Sequence, residues 1–170
     1  FTKEDPSAWK SNLLVSAIQD GDFQAAKLFL ELGADVNYIS EKGPLLNLAA
    51  HQRDARFVQL LLEKSFKEQQ AEMNESILRT AISVGNLETA KAILDSDGAH
   101  VNQNGIHLHA AAREQDPQFV LLLLSKGARP ELLNEYDQTA LSVAVTSGFV
   151  ETAQALIEGG ADVNQWSHVW

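Results

Sequence analysis

The sequence predicts an all-α solenoid made of five copies of one helical hairpin. Three observations predict it. A short string recurs, as "LGADVN" at 32–37 and "GGADVN" at 159–164, with "GAHVN" ending at Asn102 and "KGARPE" at 126–131 as looser copies. Each string follows a leucine-rich segment of helical spacing: "AAKLFLEL", "TAKAILDS", "FVLLLLSK" and "TAQALIEG". Upstream lies a shorter apolar segment centred on Ala17, Ala49, Ala81, Ala111 or Ala144, at separations of 32, 32, 30 and 33 residues. A fixed period in this range marks a repeat architecture.

Each unit reads as short helix, tight turn, longer helix and extended loop. The last copy illustrates the logic. Thr139 can cap a short helix from Ala140 to about Ser147 by accepting from a first-turn N–H. Gly148 supplies the left-handed turn that ends it. A second helix from about Val150 to Glu158 puts Ala153, Leu156 and Ile157 on one stripe, and Gly160 ends it. The position before the second helix holds Asp22, Asp54, Asn86 and Asp116 in the first four copies, all strong cap types. Asp116 is followed by Pro117, a favoured first helical residue, and Phe149 breaks the pattern in the fifth copy. The small alanines let neighbouring hairpins approach closely. Leu30, Leu61, Leu94, Leu123 and Leu156 are expected to share one core row. One hairpin cannot bury its own apolar face, so the units must stack.

Composition narrows the functional classes. The 170 residues are 45% hydrophobic and 21% charged, as in ordinary globular chains. A net charge of −10 disfavours nucleic acid or an anionic membrane as the main partner. The longest apolar run, Phe119 to Leu124, is far shorter than the roughly 20 residues a membrane helix needs. The absence of cysteine removes disulfides and thiolate chemistry and fits a reducing intracellular compartment, cytoplasmic or nuclear. The chain opens at Phe1, so it is read as part of something longer; a secreted effector acting inside a host cell is compatible with this.

Five segments in register resemble the ankyrin repeat family: "NLLVSAI" at 12–18, "LLNLAAH" at 45–51, "SILRTAI" at 76–82, "IHLHAAA" at 106–112 and "TALSVAV" at 139–145. The resemblance covers residues 12 to 164, with copies at about 12–37, 44–66, 76–102, 106–131 and 139–164. The whole chain is thereby expected to form a single ankyrin-repeat domain. Residues 1–11 would lead in, with Trp9 covering the open face of the first copy. Residues 165–170 would begin a further repeat or fold back as a makeshift cap. The second copy departs from the pattern at Arg53, Ser65 and Phe66 and runs on through "KEQQAEMNE", so its second helix should continue or the next loop should be irregular. It is also the expected point of local opening. The connection after Asn102 is short, so the hairpin there should be stunted.

The resemblance implies protein binding through a concave face of hairpin tips and inner helices. That face would be lined by Tyr38, Ile39, Glu41 and Lys42, then His51 and Gln52. The third copy contributes Met73 and Glu75, then Ser83 and Val84; the fourth contributes Gln103, Asn104, Arg113 and Glu114. The fifth contributes Glu135, Tyr136 and Gln138, then Thr146 and Ser147, with Trp166 at a further hairpin position. Interface hot spots favour Trp, Tyr and Arg, which singles out Tyr38, Tyr136, Trp166 and Arg113. Tyr38 and Trp166 could equally cover neighbouring backbone. Acids outnumber bases on this face, so a protein or peptide partner with basic residues is expected, the chain itself being monomeric. Surface acids also serve plain solubility. Leu121 stands where the other copies have Lys27, Gln59, Lys91 and Gln154, either as a second, convex contact or as a surface leucine.

No catalytic, metal or cofactor site is expected. His107 and His109 are two residues apart on a helix start and point away from each other, which does not suit a shared ion. The resemblance gives His109 a role in hydrogen bonding between repeats. No G-x-S-x-G, Walker or dinucleotide glycine pattern occurs, and Asp20 with Asp22 reads as turn and cap chemistry. Two readings of function result: a protein-binding module, or a recruiting domain of a larger enzyme, channel or effector whose chemistry lies elsewhere.

Overall fold

The computed structural model describes residues 8–52, 54–64, 70–95, 101–102 and 105–165, without the side chains of 70–73. Ten helices occur among the described residues, in two rows. The inner row is α1 (Ala8–Asp20), α3 (Leu45–His51), α5 (Gln70–Ser83), α7 (Ile106–Ala112) and α9 (Ala140–Thr146). The outer row is α2 (Phe23–Glu31), α4 (Arg56–Lys64), α6 (Leu87–Asp95), α8 (Pro117–Ser125) and α10 (Val150–Glu158). Every inner helix packs on its outer partner and on the next inner helix, and the outer helices pack on one another in the same succession. This is a solenoid: one layer pair, extended by repetition, with its core in the seam between the rows.

The alanine row explains the close stacking. Ala49, Ala81, Ala111 and Ala144 are 0% exposed and Ala17 is nearly so. A larger side chain there would hold adjacent hairpins apart. The cap series holds in the four acid or amide copies. Asp22 accepts from Ala25 N at 3.0 Å, Asp54 from Arg56 N at 3.0 Å, Asn86 from Thr89 N at 3.1 Å and Asp116 from Gln118 N at 2.9 Å. Thr139 Oγ1 accepts from Ser142 N at 3.1 Å, and Phe149 makes no side-chain cap bond. Gly148 and Gly160 take φ of 75° and 97°, which other residues resist.

The leucine row needs a correction. Leu61, Leu123 and Leu156 lie seven residues after their caps and are fully buried. Leu30 and Leu94 lie eight after theirs and are only half-buried; the equivalent position is held by Ile93, fully buried, and by Phe29, itself half-buried. Distance from the cap, not residue type, sets the register, because each residue turns the helix by about 100°.

The expectation that the second copy's outer helix continues or its next loop is irregular falls on residues 65–69, outside the described residues. The outer helix α4 ends at Lys64, and the inner helix α5 begins at Gln70, six residues ahead of "SILRTAI". Residues 65–84 contain no glycine or proline, so nothing stops the next inner helix from starting early. Arg53, Ser65 and Phe66, with the expected local opening, lie outside the described residues. Asp54 holds this copy by accepting two bonds from the Arg56 guanidinium Nε, at 3.0 and 2.9 Å. That pairing keeps its carboxyl below the usual range. The same guanidinium sits 4.7 Å over the Phe23 ring, binding the first copy to the second.

The two ends differ from the middle. Helix α1 already runs from Ala8, and Trp9 does not seal the first copy: it is 54% exposed, with Lys10 Nζ 5.7 Å from its ring centroid. At the other end Val145 is 55% exposed, whereas Ile18, Ala50, Ile82 and Ala112 at the matching position are buried beneath the following hairpin. Ile157, placed on the apolar stripe by the sequence, is 47% exposed. Short β-pairing shapes two loops: Ile39–Ser40 (β1) pairs antiparallel with Gly43–Pro44 (β2), and Leu133 bridges Thr139.

Candidate protein-binding face

The inner helices and the loops that precede them form one continuous surface. In the first hairpin, Ser40 Oγ donates to Gly43 O at 2.9 Å and accepts from Lys42 N at 3.2 Å, which shapes the turn. Ile39 projects from it, 71% exposed, beside exposed Glu41 and Lys42. Tyr38 is half-buried, and its hydroxyl donates to Asn12 Oδ1 at 2.9 Å, so the ring ties the hairpin back to α1. His51 is exposed at the end of α3, with Nδ1 2.7 Å from Asn47 O. Gln52 is half-buried, and its carbonyl accepts from Asn86 Nδ2.

The 132–138 loop is organised by Asn134. Its Oδ1 accepts from Tyr136 N and Gln138 N, each at 2.9 Å, and its N–H donates to Gln138 O at 3.0 Å. Asp137 adopts a left-handed φ of 55° to close the turn. Tyr136 is left 61% exposed at the tip with Glu135 beside it, while Gln138 is drawn into the loop's own bonding. His109 fastens the loop to the fourth copy: its Nδ1 lies 2.7 Å from Gly105 O and its Nε2 2.7 Å from Gln138 O. With both nitrogens facing carbonyls, His109 serves the contact between repeats and offers no lone pair to solvent.

Between α5, α7 and this loop lies a cleft of about 750 Å³, lined in part by Arg79, Ala110, Arg113, Leu133 and Glu135. Arg79 pairs with Glu75 at 3.4 Å, one helical turn back. Arg113 is exposed at the end of α7, and no ion pair engages it among the described residues. Glu114 is half-buried, and its carbonyl accepts from Thr152 Oγ1 at 3.2 Å, which joins the fifth copy to the fourth. Ser83, Val84, Thr146 and Ser147 are exposed on the same surface. A smaller hollow of about 230 Å³ lies near the first hairpin, walled by Val36, Ile39, Leu45 and Ile77.

Met73 lies on α5 with its side chain outside the described residues, as do Gln103, Asn104 and Trp166 entirely. Arg79 is the surface residue that motif reading missed. It stands two residues before Ala81, the position His109 holds before Ala111, so counting from the alanine row could have found it. Leu121 is 43% exposed on the opposite, outer row. His107 is buried in the α5–α7 seam with Nδ1 unpartnered, and burial pushes its imidazole below the ordinary value. Glu75 opposes that shift and Arg79 adds to it. No three His, Asp or Glu side chains converge as a metal site would among the described residues. No described helix is long and apolar enough to cross a membrane.

Two rows of helices, capped and glycine-punctuated at a fixed period with projecting loops on one side, define a helical-repeat protein. A family model described as ankyrin repeats (3 copies) matches residues 13–105 and 102–167. The chain belongs to the ankyrin repeat family, whose repeats are protein-interaction modules. It is similar to the ankyrin repeat protein FPV244 of fowlpox virus, at 29% identity over 85% of this chain and 22% of that protein. It is also similar to Regulatory protein NPR1 of Arabidopsis thaliana, at 32% identity over 67% of this chain and 19% of that protein. The ankyrin repeat protein YahD of Escherichia coli is 26% identical over 85% of this chain and 94% of its own length. The chain thus spans about a fifth of the fowlpox and Arabidopsis relatives.

Proposed function

We propose that this chain recognises a partner protein, or an extended segment of one, through its inner-helix and hairpin surface, and that it carries no catalysis of its own. The observation that carries this is the set of large side chains held out from rigid supports. Tyr136 stands 61% exposed on a loop fixed by Asn134 and His109, and Ile39 71% exposed on a paired hairpin. Aromatic and aliphatic anchors on preorganised supports bind at low ordering cost. His51 and Arg113 extend the same surface, and exposed Glu41 and Glu135 favour basic residues in part of the partner. A reducing, intracellular setting suits a chain without cysteine.

Capture from cell lysate, followed by cross-linking and mass spectrometry, tests this reading. Tyr136→Ala should lower capture of the partner at least tenfold with the melting temperature within about 2 °C of wild type. Leu121→Ser, on the outer row, should leave capture unchanged. Loss with Leu121→Ser and none with Tyr136→Ala would move the binding surface to the convex side.

A second reading makes this chain the recruiting part of a longer enzyme, channel or effector. It is favoured by the small share of the fowlpox and Arabidopsis relatives that the matched segment occupies. Under that reading the same surface delivers a substrate or an address to chemistry held elsewhere.

A further inference from the structure

The cleft at the fourth copy has a charge opposite to that of the molecule. The chain carries 23 acids against 13 bases, yet two arginines, Arg79 and Arg113, line this hollow with Glu135 as the single acid among its named lining residues. They come from neighbouring inner helices, one two residues before Ala81 and the other two residues after Ala111. That offset places their backbones about one helix spacing apart across the face, about 10 Å, and about one turn apart along it. Two arginine side chains can converge over such a gap. The connection from Asn102 to Gly105 holds two residues, where that from Asn37 to Gly43 holds five, and α7 lines the cleft directly through Ala110 and its C-terminal cap Arg113.

Among the described residues, nothing satisfies this pair fully. Arg79 has one contact with Glu75 at 3.4 Å, and its side chain remains 56% exposed; Arg113 has no ion-pair partner among the described residues. Guanidinium groups bind carboxylates through paired N–H donors, a match that lysine does not make. Leu133, 43% exposed, and Ala110 offer an apolar wall for the methylene stem of such a side chain. Glu75 already pairs with Arg79 and Glu135 lies on the rim, so Arg113 is the guanidinium left to be matched, which suits one negative charge better than the two of a phosphoryl group.

Building on the protein-binding face proposed above, we infer that this cleft receives the carboxylate of an aspartate or glutamate from an extended partner segment, held between Arg79 and Arg113. The single acid sets the register of a partner whose remaining contacts are apolar or basic. It therefore acts as a specificity contact inside an otherwise acidic surface.

The test is a phage-displayed library of random twelve-residue peptides selected on the whole chain. Selected peptides should share an Asp or Glu at one fixed position. Changing that residue to its amide should weaken binding at least tenfold on wild type and less than twofold on the Arg79→Gln, Arg113→Gln double variant. That coupling is one a merely structural role would not produce. Thermal melts of the variant verify that it folds, and the acid-dependent part of binding should fade between 50 and 500 mM salt. Peptides that depend on Tyr136 but share no acid, or whose acid is uncoupled from the arginines, overturn this inference and leave the face itself standing. Peptides indifferent to Tyr136 and to both arginines, or no selected peptide at all, overturn both. Selection of a shared phosphate-mimicking pair of adjacent acids would assign the cleft to phosphorylated segments instead.

Discussion

The junction between the second and third copies and the junction between the fourth and fifth close the same stack by different means. At the later junction the chain is punctuated: Gly127 ends α8, Asn134 folds the loop, Thr139 caps α9, and His109 bonds back to Gln138. At the earlier one the sequence from 65 to 84 supplies no glycine or proline. Helix α5 simply begins at Gln70 and runs fourteen residues, and Asn86 ties it to the second copy by donating to Ala50 O at 3.3 Å and to Gln52 O. In both places the alanine of the inner helix is completely buried. Stacking is therefore set by the alanine and cap registers, while the loops are free to vary and shape the surface.

Truncating the core row should give the largest effect and should separate true row members from neighbours. Leu123→Ala should cost about 3 kcal/mol, within the roughly 2–5 kcal/mol range for a buried leucine. Leu94→Ala, one residue out of register, should cost less than half as much in urea unfolding. Equal losses would return Leu94 to the row in place of Ile93.

Caps come next. Asp116→Ala should cost about 1 kcal/mol by exposing an unsatisfied N–H at the start of α8. A change below about 0.3 kcal/mol would mean that the capped series marks turns without stabilising them.

A smaller effect, readable as a slope, concerns His107. Its imidazole is held low by burial, so the folded protein prefers the neutral ring and the unfolded chain binds the proton more readily. Stability is then fully present above the unfolded value near 6.5 and falls as pH drops from there toward the folded value. His107→Leu, which copies Leu45 and matches the apolar Ile77 at equivalent positions, should flatten this dependence between pH 7 and pH 5 without lowering stability at pH 7. An unchanged slope would place the titration elsewhere. Smallest of all, Asp137→Gly should raise stability by up to about 0.5 kcal/mol by easing a left-handed backbone.

Sequence periodicity made most of the stack legible because glycines, caps and alanines each impose a local geometry that tertiary packing leaves in place. Helices α9 and α10 end within a residue of where Thr139, Gly148 and Gly160 put them. Leu30 and Leu94 fall outside the row because a leucine-rich helix offers several leucines and only the distance from the cap chooses among them. The early start of α5 was legible only in part, since a string of helix formers can extend either neighbour. Trp9 lacked any periodic reference by which its exposure could be foreseen. On the surface, Tyr136 and Arg113 could be named from loop and helix-end positions. Arg79 was legible only by counting from the alanine row, while its place with Arg113 on one cleft comes from the packing of α5 on α7.

Hydrogen exchange with and without a library-selected peptide tests the central claim most directly, because it reads every part of the solenoid at once. Protection is predicted on residues 76–84, 106–114 and 133–147, with the outer helices α4, α6, α8 and α10 unchanged. Protection confined to those outer helices, with the inner helices and loops exchanging as before, would contradict the account.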